Sequence, residues 1–242
     1  MKSLTIFGFL ALTPGAALAC ALELILAVDV SGSINVDEFA LQTEGTAAAF
    51  EDPQLAEAII NQPGGVWITY TQWSGASRQR QVTGWHHLTD PTSMAEFATA
   101  IRRGGRNWRN YSTAIGEALF HTMKVGETVP ATCKRRVVDV SGDGVSNEGR
   151  APRAMAQTLA GLGYTINALV IRGDSPDPVK YYRDHVLAGP SAFIEIAKDF
   201  EDYPRAIRKK LLREVESQAL LSELGDETQP QNATPERAVR KR

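Results

Sequence analysis

An α/β fold is what this sequence predicts: an open, mostly parallel sheet with helices on both faces and one short antiparallel edge strand, in three layers. Three observations carry that expectation. The run Leu24-Ile25-Leu26-Ala27-Val28 has no polar residue to face water, so it reads as a strand buried on both faces. Elsewhere apolar residues recur every three or four positions, the period of a helix with one buried side. Strands and helices then alternate along the chain, the order that builds a parallel sheet.

The chain has 242 residues, 43% hydrophobic and 22% charged, enough for one full core with terminal extras. A net charge of -2 gives no polyanion-binding signature, which argues against nucleic acid as a partner. Met1-Lys2, an apolar stretch from Leu4 to Leu12, the Pro14-Gly15 break and Ala17-Leu18-Ala19 have the order of a secretory signal peptide over residues 1–19. Its apolar part is shorter than the about 20 residues a membrane span needs, and no other stretch is long enough to be one. Cys20 becomes the first mature residue, and Ala17 stands where a lipoprotein signal usually has Leu. The reading is therefore export to the periplasm or beyond, with a lipid anchor as the less favoured alternative.

After the opening strand, Val36, Phe39, Thr43, Ala47 and Phe50 mark a helix that Pro53 interrupts, with a short continuation through Leu55 and Ile59. Gly64-Gly65 release a β-branched and aromatic strand, Val66 to Trp73. Gln79 to Trp85 reads as its antiparallel edge partner. A helix through Met94, Phe97 and Ile101 follows, capped by Asp90 or Thr92. A loop rich in Gly, Arg and Asn leads to Ser112-Thr113 and a helix through Ile115, Leu119 and Met123. Arg135 to Val140 is a second buried strand. Next come helix Arg153 to Leu162, strand Tyr164 to Ile171, helix Val179 to Leu187 and strand Ala192 to Ala197. The last helix carries Phe200, Tyr203, Ile207, Leu211 and Val215 on one side. Residues 217–242 turn polar, and the segment from about Gly225 lacks the apolar content to order itself.

Hard oxygen donors fall where strands end or helices open: Asp29-x-Ser31-x-Ser33, Thr113, and Asp143 in Ser141-Gly142-Asp143-Gly144. Two carboxylates offset the charge of a divalent ion, while neutral hydroxyls hold it and leave it electrophilic. Each residue also has a plainer reading. The serines and Thr113 could be helix caps, and Asp143-Gly144 could be a turn.

With these residues in place the chain resembles the von Willebrand factor type A domain, whose metal-ion-dependent adhesion site (MIDAS) uses DxSxS, a distant Thr and a distant Asp. The resemblance covers about Leu22 to Glu214 and implies a Rossmann-like open sheet over residues 20–216. It also implies a metal site of Asp29, Ser31, Ser33, Thr113 and Asp143. Val138-Asp139-Val140-Ser141-Gly142-Asp143-Gly144 and Gly189-Pro190-Ser191-Ala192-Phe193 are similar to an exported proteobacterial branch of unknown function, DUF1194-like. Ser112 and Gly142 depart from the wider pattern, which often has Gly before the Thr and Thr before the Asp.

What the resemblance implies for function is non-catalytic binding of a protein or peptide that presents an acidic side chain. The bridge is a divalent cation, Mg2+ first, with Mn2+ or Ca2+ as alternatives. A metal-assisted hydrolase using the same ion, or a structural domain with a vestigial site, is the other reading; no Gly-x-Ser-x-Gly elbow occurs. The family's sheet order makes the strands of Asp29 and Asp143 parallel neighbours. Cys20 and Cys133, nine and ten residues upstream of those acids, then share the opposite rim and are a disulfide candidate. Arg102, Arg103, Arg106 and Arg109 crowd the loop before Thr113. Arg106 and Arg109 are candidates for a positive collar that draws an acidic ligand, with a solvated charge run as the alternative. His86-His87 point to opposite faces of a strand and do not share a metal. Trp73, Trp85 and Trp108 are either contacts near the loops or packing residues.

Overall fold

The computed structural model describes residues 19–173 and 175–226, with side chains through residue 216. The expected signal peptide, apart from Ala19, lies outside the described residues. The strands are β1 (Cys20–Asp29), β2 (Val66–Trp73), β3 (Gln79–Gln81), β4 (His86–Leu88), β5 (Cys133–Gly142), β6 (Tyr164–Ile171) and β7 (Ile194–Ala197). The helices are α1 (Val36–Phe50), α2 (Pro53–Ile60), α3 (Pro91–Arg103), α4 (Ile115–Gly126), α5 (Pro152–Gly161), α6 (Pro178–His185) and α7 (Tyr203–Asp226).

The sheet runs β3-β2-β1-β5-β6-β7, parallel from β2 to β7, with β3 and β4 both antiparallel to β2. The edge strand expected at Gln79 to Trp85 is split in two. Val82 and Thr83 both donate their amides to the Tyr70 carbonyl, and the Thr83 hydroxyl takes the Tyr70 amide, so a side chain replaces one rung of the ladder. His86 and His87 lie on β4, one against Phe97 and the other stacked on Trp67.

Alternation along the strands sorts the core into two halves. Leu22, Leu24, Leu26 and Val28 of β1 pack under α1, α2, α3 and α7, while Ile25 and Ala27 face α4, α5 and α6. On β5, Val138 and Val140 share the second half, so Asp139 and Ser141 point toward α7. Asp139 there meets Lys210 at 2.6 Å, and Lys210 meets Glu214 at 2.8 Å; Asn167 donates to Glu214 at 2.8 Å. All four side chains are buried. Nothing in the amphipathic pattern of α7 foretells this charged cluster. The helix runs on to Asp226, past the start of the expected tail at residue 217, through a stretch still rich in Ala, Leu and Glu. Residues 227–242 lie outside the described residues.

Helix starts follow local rules. Asn35 and Glu38 form a capping box on α1, Asp52 caps α2 with Pro53 after it, and Asp90 caps α3 with Pro91 after it.

Cys20 and Cys133 are register partners on β1 and β5 and are joined by a disulfide, Cα to Cα 4.4 Å. The bond ties the amino-terminal ends of two central strands across 113 residues of sequence. Replacing both cysteines with serine is expected to lower unfolding free energy by about 2–4 kcal/mol, read from urea denaturation. An unchanged midpoint and slope would show that the link contributes nothing.

Candidate metal centre

β1 leads leftward to β2, and the chain later returns to lay β5 on the other side of β1. The connections leaving β1 and β5 therefore part to opposite sides at their carboxyl ends, and a crevice opens there. Asp29 closes β1, and Asp143 follows β5 one residue past its end.

Five side chains converge at this crevice. The Ser31 amide donates to Asp29 Oδ1 at 2.7 Å. Thr113 Oγ1 donates to Ser31 Oγ at 3.3 Å, Ser31 Oγ lies 3.4 Å from Ser33 Oγ, and Ser33 Oγ donates to Asp143 Oδ1 at 3.0 Å. Asp29, Ser31, Thr113 and Asp143 are buried, while Ser33 is exposed. A cleft of about 280 Å³, lined in part by Ser33, Tyr111, Thr113, Asn147 and Pro176, opens beside them.

The cap readings do not hold for these hydroxyls. Asn35, not Ser31 or Ser33, caps α1. At α4 the Ile115 amide is met by Ser146 Oγ at 3.2 Å, so neither Ser112 nor Thr113 is needed as a cap. Asn147 receives the Thr113 amide on its Oδ1 and donates its own amide to the Thr113 carbonyl, both at 2.9 Å. Ser146 and Asn147 hold Thr113 in place and were not singled out from the sequence. Their position directly after Ser141-Gly142-Asp143-Gly144 was the available signal.

Arg106 is engaged by its own chain. It donates to the carbonyls of Val30 at 3.0 Å, Ser31 at 2.8 Å and Asn35 at 3.4 Å, and so braces the loop that carries the serines. Arg102 is taken up by Glu44 and Glu51, away from the crevice. Arg109 is exposed, and Arg78 lies over the exposed Tyr111 ring at 4.6 Å. Trp73 is 1% exposed in the core; Trp85 and Trp108 are half-buried.

The electrostatics fit a cation. Asp29 is fully buried, and its Oδ2 has no hydrogen-bond partner. Burial first, and then the neighbouring Asp143, push its carboxyl well above the usual carboxylate range; the bonds from Ser31 and the charge of Arg106 pull the other way. Two acids held together out of water favour a positive charge between them. Among the described residues no group of three or more His, Cys, Asp or Glu is placed to hold a metal. The oxygen set here is two carboxylates and three hydroxyls, which suits a hard ion.

The sequence profile of a family described as "Protein of unknown function (DUF1194)" matches residues 19–219. No curated protein sequence matches significantly. Among solved structures, proximal thread matrix protein 1 from the mussel byssus, described with a zinc-occupied MIDAS motif, is similar with TM-score 0.60 and 17% identity over 81% of this chain and 46% of that one. A von Willebrand factor type A protein from Catenulispora acidiphila gives TM-score 0.59 and 17% identity, over 81% of this chain and 43% of the other. The chain thus spans less than half the length of both. The von Willebrand factor domain of the type V pili tip protein Mfa5 from Porphyromonas gingivalis is similar over 90% of this chain and 99% of that one, at TM-score 0.55 and 10% identity.

Proposed function

The chain belongs to the DUF1194 family of proteins of unknown function and has a von Willebrand factor type A-like fold, and from that premise we propose that it is a non-catalytic binding domain for an acidic side chain of a protein or peptide. Asp29, Ser31, Ser33, Thr113 and Asp143 would hold a divalent cation, Mg2+ first among Mg2+, Mn2+ and Ca2+. Three of these five donors are neutral hydroxyls, so a cation held by them would keep enough positive charge to attract a ligand carboxylate. The observation that carries the reading is the pair of buried carboxylates, Asp29 and Asp143, brought into one crevice with the three linked hydroxyls of Ser31, Ser33 and Thr113. Arg106 keeps the serine loop in shape, and Arg109 is left as the collar residue.

The Cys20–Cys133 disulfide supports an exported location, since such bonds persist in oxidising compartments. It also speaks against a lipid anchor, because a sulfur in a disulfide has no valence for a thioether.

Affinity capture from periplasmic extract or culture fluid tests the proposal, with Mg2+, with chelator, and with Thr113→Val. Valine keeps the shape of threonine but loses the hydroxyl at the site. Partners retained only by the wild type in Mg2+ are the expected result. The same proteins captured in all three samples would remove the adhesion reading. Turnover of a captured partner that Asp29→Ala abolishes would favour the hydrolase alternative.

A further inference from the structure

Gly142 and Tyr182 are unused by the five-residue site, yet both abut it. Gly142 ends β5 and faces the half of the core under α4, α5 and α6, as Asp29 does by alternation along β1. A Cβ built on Gly142 falls 3.0 Å from Asp29 Oδ2 and 2.5 Å from the Tyr182 hydroxyl. Those two oxygens therefore border one small space. Both are buried, and neither has a hydrogen-bond partner. Leaving a phenol hydroxyl and a carboxylate oxygen both unsatisfied in the core is costly, so two such orphans across one gap are complementary. One is a donor and the other an acceptor.

We propose that Tyr182 is a positioning residue for the cation site. Its hydroxyl donates to Asp29 Oδ2 across the gap at Gly142 in the cation-loaded protein. That bond fixes the carboxylate's orientation while Oδ1 stays on the Ser31 amide. Gly142 is needed because any side chain would fill the gap and push the hydroxyl away. The departure at position 142 and the tyrosine on α6 are then one feature, since the tyrosine occupies space that a larger residue at 142 would claim. The inference rests on the cation reading above and adds a group that acts through a ligand rather than as one.

The test is Mg2+ titration by calorimetry on the full mature chain, paired with thermal melting in chelator. Tyr182→Phe removes one oxygen, and it is expected to weaken Mg2+ binding about tenfold with no loss of melting temperature in chelator. Gly142→Ala is expected to weaken binding in the wild-type background and to add little once Tyr182→Phe is present, a non-additive cycle. Gly142→Ser combined with Tyr182→Phe should recover much of the affinity, because the serine hydroxyl supplies the lost donor. Wild-type affinity in folded Tyr182→Phe, or full additivity of the two changes, overturns the assignment of Tyr182 alone. A wild-type protein that binds none of Mg2+, Mn2+ or Ca2+ overturns the cation reading and this assignment with it.

Discussion

Replacing Asp29 with asparagine is expected to raise the stability of the cation-free protein and to abolish its stabilisation by Mg2+. Asp29 is fully buried, and burial together with Asp143 disfavours its charge. Asparagine has nearly the same shape and keeps an oxygen for the Ser31 amide, so it removes the buried charge without opening a cavity. In the wild type, cation at about 100 times its Kd adds about 2.7 kcal/mol, because it binds only the folded state. For a domain of this size that is a rise of roughly 5–10 °C in Tm.

The pH dependence separates the two states. Without cation, the folded carboxyl titrates above its unfolded value, so its contribution is greatest in acid and is lost as pH rises through the folded pKa. With cation the sign reverses, since bound metal needs ionised carboxylates and protons compete with it. The Mg2+ increment should therefore grow with pH in the wild type and be absent in Asp29→Asn. Scanning calorimetry across pH, with Mg2+ and with chelator, measures both. An increment that survives in Asp29→Asn would place the cation elsewhere.

Lys210→Met is expected to cost about 3–5 kcal/mol. Lys210 is 0% exposed and is the near counter-charge for Asp139 at 2.6 Å and Glu214 at 2.8 Å, with Arg135 farther from Glu214 at 4.0 Å. Methionine fills the volume but leaves two acids facing each other in the core. Combining it with Asp139→Asn and Glu214→Gln should recover most of the loss, since a buried ion cluster contributes little net stability but is expensive to break. Burial pushes the Asp139 carboxyl up to about 6, against the pull of Lys210. Its folded value exceeds its unfolded one, so its contribution to stability is present below about pH 4 and is lost as pH rises to about 6. Without Lys210 that window should extend to higher pH. Urea denaturation at several pH values reads both effects, and a cost under about 1 kcal/mol would mean the cluster is solvated.

The layered sheet was legible because buried strands and amphipathic helices each obey a period set by backbone geometry. Leu24 to Val28 announced a central strand, and Asp90 was one of two cap candidates for α3, while Pro53, read as an interruption, opens α2 behind the Asp52 cap. The edge was less legible. Whether Gln79 to Trp85 pairs throughout depended on the Thr83 hydroxyl taking the Tyr70 amide, a contact made across the chain.

For the candidate site, residue types placed hard oxygen-bearing side chains at two strand ends and one helix start, and the resemblance to the von Willebrand factor type A domain grouped Asp29, Ser31, Ser33, Thr113 and Asp143 as one expected metal site. The chain by itself determined the two apolar strands that end beside Asp29 and Asp143. The tertiary structure alone decided that Ser146 rather than Thr113 meets the α4 amide, that Arg106 braces carbonyls instead of facing outward, and that Tyr182 comes up against Asp29. Each of these is a competition among donors and acceptors for the same partner. The winner depends on which atoms the folded chain brings within about 3 Å, a distance that no local period encodes.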